Sequence, residues 1–486
     1  MSVDSKAIVR SFGWVALANY ANKGLGFVTT LILAKLLAPE DFGTVAVAAM
    51  VIDILYLCKD LGISQAIIYR KGDSKSVVST GVILVTAVNL GLFALAWIAA
   101  PFIARFYEHQ GLTSVIVLLS SNLVWQGLTS VPESLLRKNI DFKALVIPNV
   151  VPVIIASALG IVLALTGWGV WSLVIRTLTG SVLNMVLIWI YSPFKFEWRY
   201  DRQVGRELFG YGKHIVVASA FLISLYNVDR FFVSRFAGMA ALGVYTLAMR
   251  IALMPVTELS HLVCRVMFPV LSAFNEEPER LRSAFLRTVR YSNVVAIPMS
   301  MGIAVFGPSL VLAIYGQKWA AMTVPLQLLS AYAFFRSVSS LLHETFKAVG
   351  RPALFQKFVL LRLVLIGALG APALAWLDLA GMCVLLVVVY AAVLMLELEA
   401  SRRMLSLNLG SMARCFAVPT VVSCALIPGV YGLLWAAGWD DRLPFLLTAV
   451  AVVAALYLVC LVQFEREVVD DVRRIVGNRK ARVVTG

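Results

Sequence analysis

Residues 36–48 read LLAPEDFGTVAVA, and residues 236–248 read FAGMAALGVYTLA. In each, a long apolar run ends in a short polar or small-residue gap, and a second apolar run begins around a glycine, Gly43 in one and Gly243 in the other. Gly and Pro punctuate regular structure at such gaps. The stretch reads as the turn of a helical hairpin, used twice in one chain.

The runs on either side of that turn set the class. Of 486 residues, 60% are hydrophobic and 14% charged, and the mean hydropathy is +0.87. That leaves too little charge to cover a soluble protein of this length. Apolar runs of ~18 or more residues recur throughout, the signature of bilayer-spanning helices. The ten-residue alternation of a membrane barrel is absent. The expected fold class is an all-α polytopic membrane protein with about 14 transmembrane helices, from a first span near 12–37 to a last near 443–464. The first span is too long for a signal-peptide core and is read as retained.

The net charge of +15 does not point to nucleic acid, because the positive residues sit in short segments between apolar runs. Sorted by alternate loops, about 29 Lys and Arg fall on one side and 5 on the other. The positive-inside rule then places both termini in the cytoplasm, with anionic lipid headgroups as partners of the basic loops. Six scattered cysteines show no CxxC or Cys/His spacing, so neither a metal site nor a disulfide framework is expected. No catalytic motif survives inspection. Gly24-Leu25-Gly26 lacks a third glycine, His343-Glu344 lacks the second histidine of a zinc helix, and there is no P-loop or nucleophile elbow. Neither catalytic residues nor a bound cofactor is expected.

The two hairpin stretches belong to a longer repeat. SFG at 11–13 matches LFG at 208–210, Gly43 matches Gly243, Tyr107 matches Tyr315, and Glu133 sits opposite Glu344. The offset grows smoothly from 197 to 211, as small loop insertions would make it. The expected organisation is an N-terminal six-helix lobe at 1–200 and a C-terminal six-helix lobe at 201–405. Two additional helices at 406–464 and a basic cytoplasmic tail at 465–486 follow. Parallel repeats about an axis along the membrane normal are typical of transporters.

Polar residues inside the spans fall in stripes, one face per helix. Asn19, Asn22, Lys23, Gly26 and Thr30 form one; Asn122, Gln126, Thr129, Glu133 and Arg137 another. Arg250, Thr257, Glu258, His261 and Arg265 share an arc, as do Arg336, Ser340, His343, Glu344 and Lys347, and a further span holds Asn227, Asp229 and Arg230. Intramembrane charges cost roughly 2.5–3.5 kcal/mol each on insertion scales, so such stripes face a partner or a hydrated cavity. A central cavity with a cationic lining suits an anionic, hydroxyl-rich cargo. The alternative reading of Asp229 with Arg230 and Arg250, or of Glu258 with His261 and Arg265, is ion pairs that fix helix packing. Glu133 and Glu344 lie near helix ends, where gate salt bridges or snorkelling are the alternatives.

The stretch SFGWVALANYANKGLGFVTTLILAKLLAPEDFGTVAVA (11–48), with DLGISQAIIYR (60–70) after it, resembles Wzx-type polysaccharide flippases of the multidrug/oligosaccharidyl-lipid/polysaccharide exporter superfamily. ELFGYGKHIVVASAFLISLYNVDRFFVSRFAGMAALGVYTLAMRI (207–251) resembles the seventh and eighth helices of the same family. The resemblance implies two six-helix lobes facing a central cavity that opens alternately to each side. It implies an undecaprenyl-diphosphate-linked oligosaccharide as cargo in a bacterial inner membrane, for capsule, exopolysaccharide or O-antigen assembly. A polysaccharide polymerase and export machinery would act beside it. Coupling would be to a proton or sodium gradient or to the membrane potential. The family's basic cavity maps onto Lys23, Arg230, Arg250 and Arg265, with Asn19, Asn22 and Asn227 beside them. Coupling or gating falls to Asp229, Glu258, His261, Glu133 and Glu344. The helices at 412–464 exceed the family's usual twelve, with the flank of a lipid-tail groove as one role open to them. Two other functions compete: a multidrug exporter of the same superfamily, which favours acidic cavities, and a membrane polymerase or ligase, which needs a large outer loop this sequence lacks.

Overall fold

A computed structural model describes residues 5–60, 63, 75–138, 142–192, 197, 200–274, 276–436 and 443–464. Among them no strand occurs. In chain order the helices are α1 (Ser5–Leu36), α2 (Pro39–Leu55), α3 (Lys75–Phe106), α4 (Leu112–Ser120), α5 (Asn122–Lys138), α6 (Phe142–Leu165) and α7 (Val170–Tyr191). There follow α8 (Arg202–Phe236), α9 (Gly238–Ala273), α10 (Pro278–Tyr315), α11 (Thr323–Ala348), α12 (Pro352–Leu405), α13 (Leu409–Ala436) and α14 (Leu443–Phe464). Nine helical segments among the described residues are long and apolar enough to cross a membrane, α4 and α5 together making one of them. The outward surface agrees: Trp376 and Trp435 are 83% and 78% exposed, which suits lipid rather than water. The chain is an all-α polytopic membrane protein.

One long helix is really a hairpin. Leu377 and Asp378 leave helical geometry inside α12, Asp378 at φ 49°. Arg362 and Glu397, on opposite sides of that break, are 2.9 Å apart, where a straight helix would separate them by about 50 Å. Gly381 permits the reversal, because a Cβ there would fall on the Ala373 carbonyl.

The chain divides into two compact units, Met1–Gly243 and Val244–Gly486. The boundary falls inside α9, while the sequence repeat turns over at 200/201; compactness and internal similarity divide the chain by different criteria. In the first unit α6 packs on α1 and α7, α3 on α5, and α2 on α4 and α8. In the second, α11 packs on α10 and α12, and α10 on α13 and α14. Leu271, Phe285, Val338, Leu342 and Phe346 share one apolar core there.

Proline shapes both units by a common device. A proline inside a helix has no N–H for the carbonyl four residues earlier, and lipid cannot supply a substitute donor. In five places a neighbouring helix supplies it. Pro132 strands the Leu128 carbonyl, and Trp189 Nε1 donates to it at 3.1 Å. Pro152 strands that of Pro148, which takes Asn184 Nδ2 at 2.7 Å. Pro298 strands Val294, met by the Tyr457 hydroxyl at 2.8 Å, and Pro308 strands Ala304, met by Gln327 Nε2 at 3.2 Å. Pro419 strands Cys415, which accepts from Asn293 Nδ2 at 3.1 Å. The kink-forming residue and its remedy lie on different helices, so each pair pins two helices in register.

The hairpin turns quoted at the outset meet in the first unit. A Cβ on Gly43 would fall on the Met239 carbonyl, and a Cβ on Gly243 would fall on the Pro39 carbonyl. Each glycine follows its own helix's carbonyl partner by four residues, so the contact between the starts of α2 and α9 is reciprocal. Bare Cα atoms against carbonyls allow this approach and add weak Cα–H···O attraction. Glu40 and Asp41 begin α2: Asp41 Oδ2 accepts the Ala38 N–H at 3.0 Å, and both carboxylates sit at the positive end of the helix dipole.

Candidate functional site

A cavity of about 550 Å³ opens in the first unit among α1, α5, α6, α7 and the turn that follows α2. Each wall is a helical stripe. Gln126, Thr129, Ser130 and Glu133 line it from α5 at i, i+3, i+4 and i+7. Asn149 and Ser157 face it from α6, Arg176, Thr177, Ser181 and Asn184 from α7, Asn22 from α1 and Lys59 from the turn. Amides and hydroxyls dominate, with two cations against one carboxylate. That carboxylate, Glu133, is itself 2.6 Å from Arg137 Nη2. The surplus of charge in the cavity is positive.

The surrounding shell fixes these groups. Lys59 Nζ donates to Gln126 Oε1 at 3.0 Å and lies 4.6 Å from the Tyr56 ring centroid. Its backbone carbonyl accepts from Asn89 Nδ2 at 2.6 Å. Asn89 is fully buried and leans on Gly127, where a Cβ would come within 2.9 Å of its amide. The Arg176 stem lies along Gly160 on α6, where a Cβ would approach it to 3.0 Å. Asn22 Nδ2 donates to the Asn149 carbonyl at 2.9 Å. Asn22 Oδ1 and Ser157 Oγ are buried without a hydrogen-bond partner, two cavity-wall atoms still able to bond a guest. Such a polar pocket walled by otherwise apolar helices fits a hydrophilic group that must cross the bilayer.

The residues expected from sequence are distributed as follows. Asn22 and Glu133 line the cavity. Lys23 is exposed on α1 beside Asn22 and is not among the lining residues. Asn227 and Asp229 are buried on α8, and Arg230 Nη1 lies 3.6 Å from Asp53 Oδ2 on α2. Arg250 and Glu258 belong to α9 in the second unit, where Glu344 pairs with Lys347 at 2.8 Å. The side chains of Asn19, His261 and Arg265 lie outside the described residues. Lys59, Arg176, Asn149 and Asn184 enter the cavity without having been singled out for it. Among the described residues no cluster of His, Cys, Asp or Glu is placed to hold a metal ion.

The second unit holds a different cavity, about 480 Å³, formed by α10, α13 and α14 with Pro255 of α9. Its walls are apolar: Val294, Pro298, Ile303, Phe306, Ile427, Val453 and Leu458 among them. The two helices beyond the sequence repeat build one side of it.

Known proteins share both sequence and fold with this chain. The family described as "Polysaccharide biosynthesis protein" matches residues 32–324. The succinoglycan biosynthesis transport protein ExoT of Rhizobium meliloti (strain 1021) is 25% identical over 369 residues, 75% of this chain and 74% of that one. The lipopolysaccharide biosynthesis protein WzxC of Escherichia coli (strain K12) is 24% identical over 362 residues, 71% of this chain and 70% of its own. A solved structure titled "Lipid II flippase MurJ, inward closed conformation" superposes with a TM-score of 0.77, over 94% of this chain and 99% of that one. At 14% identity that likeness is one of fold.

Proposed function

The chain belongs to the polysaccharide biosynthesis protein family, and from that premise we propose that it is a flippase. It moves an undecaprenyl-diphosphate-linked oligosaccharide from the cytoplasmic to the periplasmic leaflet of a bacterial inner membrane by alternating access. The product serves exopolysaccharide, capsule or O-antigen assembly, with a polymerase and export machinery downstream. Both termini lie in the cytoplasm, and an ion gradient or the membrane potential drives the cycle.

The observation that carries this reading is the polar cavity of the first unit. Its volume lies within the roughly 300–1,000 Å³ of small-ligand sites. Its chemistry matches a sugar diphosphate: Lys59 and Arg176 offer charge-assisted bonds to phosphate oxygens, and the amides and hydroxyls offer partners to sugar hydroxyls. The apolar cavity of the second unit has the chemistry an isoprenoid chain requires. The names of the relatives, a succinoglycan transport protein and a lipopolysaccharide biosynthesis protein, support the same cargo class.

The test is charge reversal in a strain whose surface glycan depends on this gene. Arg176→Glu and Lys59→Glu each reduce surface polysaccharide at least tenfold while the protein still reaches the membrane. Wild-type levels of glycan in both variants would remove the cavity from the mechanism. Altered drug susceptibility of the deletion strain with unaltered glycan would transfer the protein to the multidrug reading.

A further inference from the structure

One cluster of titratable groups lies apart from both cavities: His343 on α11, Arg362 on the first half of α12 and Glu397 on the second. Arg362 and Glu397 are 1% and 0% exposed. Glu397 Oε1 accepts from Arg362 Nη2 at 2.9 Å and lies 2.8 Å from His343 Nε2. That same Nε2 is 3.3 Å from Arg362 Nη1. A guanidinium nitrogen only donates, and a carboxylate only accepts. His343 Nε2 therefore donates to Glu397 when it carries a proton, or accepts from Arg362 when it does not. One ring nitrogen stands between two partners of opposite demand.

The cluster is also unsaturated. Glu397 Oε2 and Arg362 Nε are buried without hydrogen-bond partners, although a buried ion pair serves stability only when its remaining atoms are satisfied. Ser339 Oγ accepts from Arg362 Nη2 at 2.8 Å, and charged and aromatic side chains surround the cluster. Lys347 is paired with Glu344 at 2.8 Å, Arg336 donates to the Tyr332 hydroxyl at 3.2 Å, and the Tyr390 ring lies 4.4 Å from the Arg362 guanidinium. From α10, Phe285 and Val289 join Leu342 and Phe346 in an apolar cluster. The His343 side chain is 13% exposed, so it is the least buried of the three.

We infer that His343, Arg362 and Glu397 form a proton-binding site in the second unit that couples transport to a proton gradient. A proton arriving on a neutral His343 ring protonated at Nδ1 binds Nε2, which then donates to Glu397 and gives up Arg362 Nη1. Its departure restores the bond from Arg362. The two states tie α11 to different halves of the α12 hairpin, so the proton selects between two packings. The coupling role rests on the transporter reading above; proton binding itself does not.

Two measurements separate the two claims. In the full chain labelled with 15N-histidine and held in lipid nanodiscs, the His343 ring signals are those missing from His343→Gln. Followed from about pH 8 down to about pH 4, they change, and in Glu397→Gln proton binding is at least tenfold weaker, because the imidazolium has lost its carboxylate. Ring signals constant over that range, or the same titration in Glu397→Gln, overturn the site. In cells, collapsing the proton gradient lowers wild-type glycan export at least tenfold and that of His343→Gln less than twofold. An equal fall in both overturns the coupling. If the wild-type chain exports no glycan, the flippase reading and the coupling fall together, while the ring titration still judges the proton site.

Discussion

Tyr457 donates its hydroxyl to the Val294 carbonyl at 2.8 Å because Pro298 has no N–H to give. Tyr457→Phe should therefore destabilise the second unit by about 1 kcal/mol, the usual worth of such a bond in a membrane interior. In a Pro298→Ala background the restored amide bonds the carbonyl, and the same Tyr457→Phe should cost little. A double-mutant cycle by thermal unfolding in detergent checks this, and equal costs in the two backgrounds would refute the account. At this scale the sequence conceals much of the site. Arg176 and Asn184 share one face of α7 with Thr177 and Ser181, a stripe of mostly small hydroxyls inside an apolar run, and the carbonyls that Asn149 and Asn184 serve are not visible in a list of side chains. Glu397 stands close to Glu399, Arg402 and Arg403 at the end of α12 and reads as a boundary residue; its partner Arg362 comes from the other side of a helical reversal. The cationic residues expected from resemblance keep their own test: Lys23→Glu and Arg250→Glu should each abolish surface glycan without loss of the protein from the membrane. Full export in both would strike them from the mechanism.

Among the elements, α5 was the most legible, since its Gln126, Thr129 and Glu133 already stood on one face and now line a cavity. The turn between the halves of α12 is legible as well, because the apolar stretch from 354 to 401 is too long for one crossing. The meeting of α2 with α9 was not, because a glycine marks a turn and a close contact alike. Its geometry makes a sharp prediction. Gly43→Ala places a methyl group against backbone that cannot swing aside, so the helices must part, at a cost of about 1–3 kcal/mol. Gly24→Ala, where the added carbon meets nothing within 4 Å, is the control and should raise helix stability slightly. If Gly43→Ala melts no lower than Gly24→Ala, the contact is not tight.

For the whole molecule, the class came from composition, and charge sets an expectation of sidedness; both are properties of the chain rather than of any contact. The positive-inside bias is strong enough to commit to a topology. A fluorescent reporter that folds only in the cytoplasm, fused after Gly486, should light up, and a cysteine at Glu40 should react with a membrane-impermeant thiol reagent added to the periplasm. Silence at the first position together with protection of the second would invert the orientation. The reciprocal meeting of Gly43 with Met239 and of Gly243 with Pro39 also bears on descent. It has the self-complementary form of a two-fold interface between identical subunits, in which residue i touches j and j touches i. A protein of half this length, bearing a single such hairpin, would bind a second copy of itself through the same patch. Gene fusion would then make the partner permanent without having to invent a contact. It would also constrain later divergence: neither glycine could acquire a side chain while the other kept its place, so the two codons would drift apart more slowly than the helices around them.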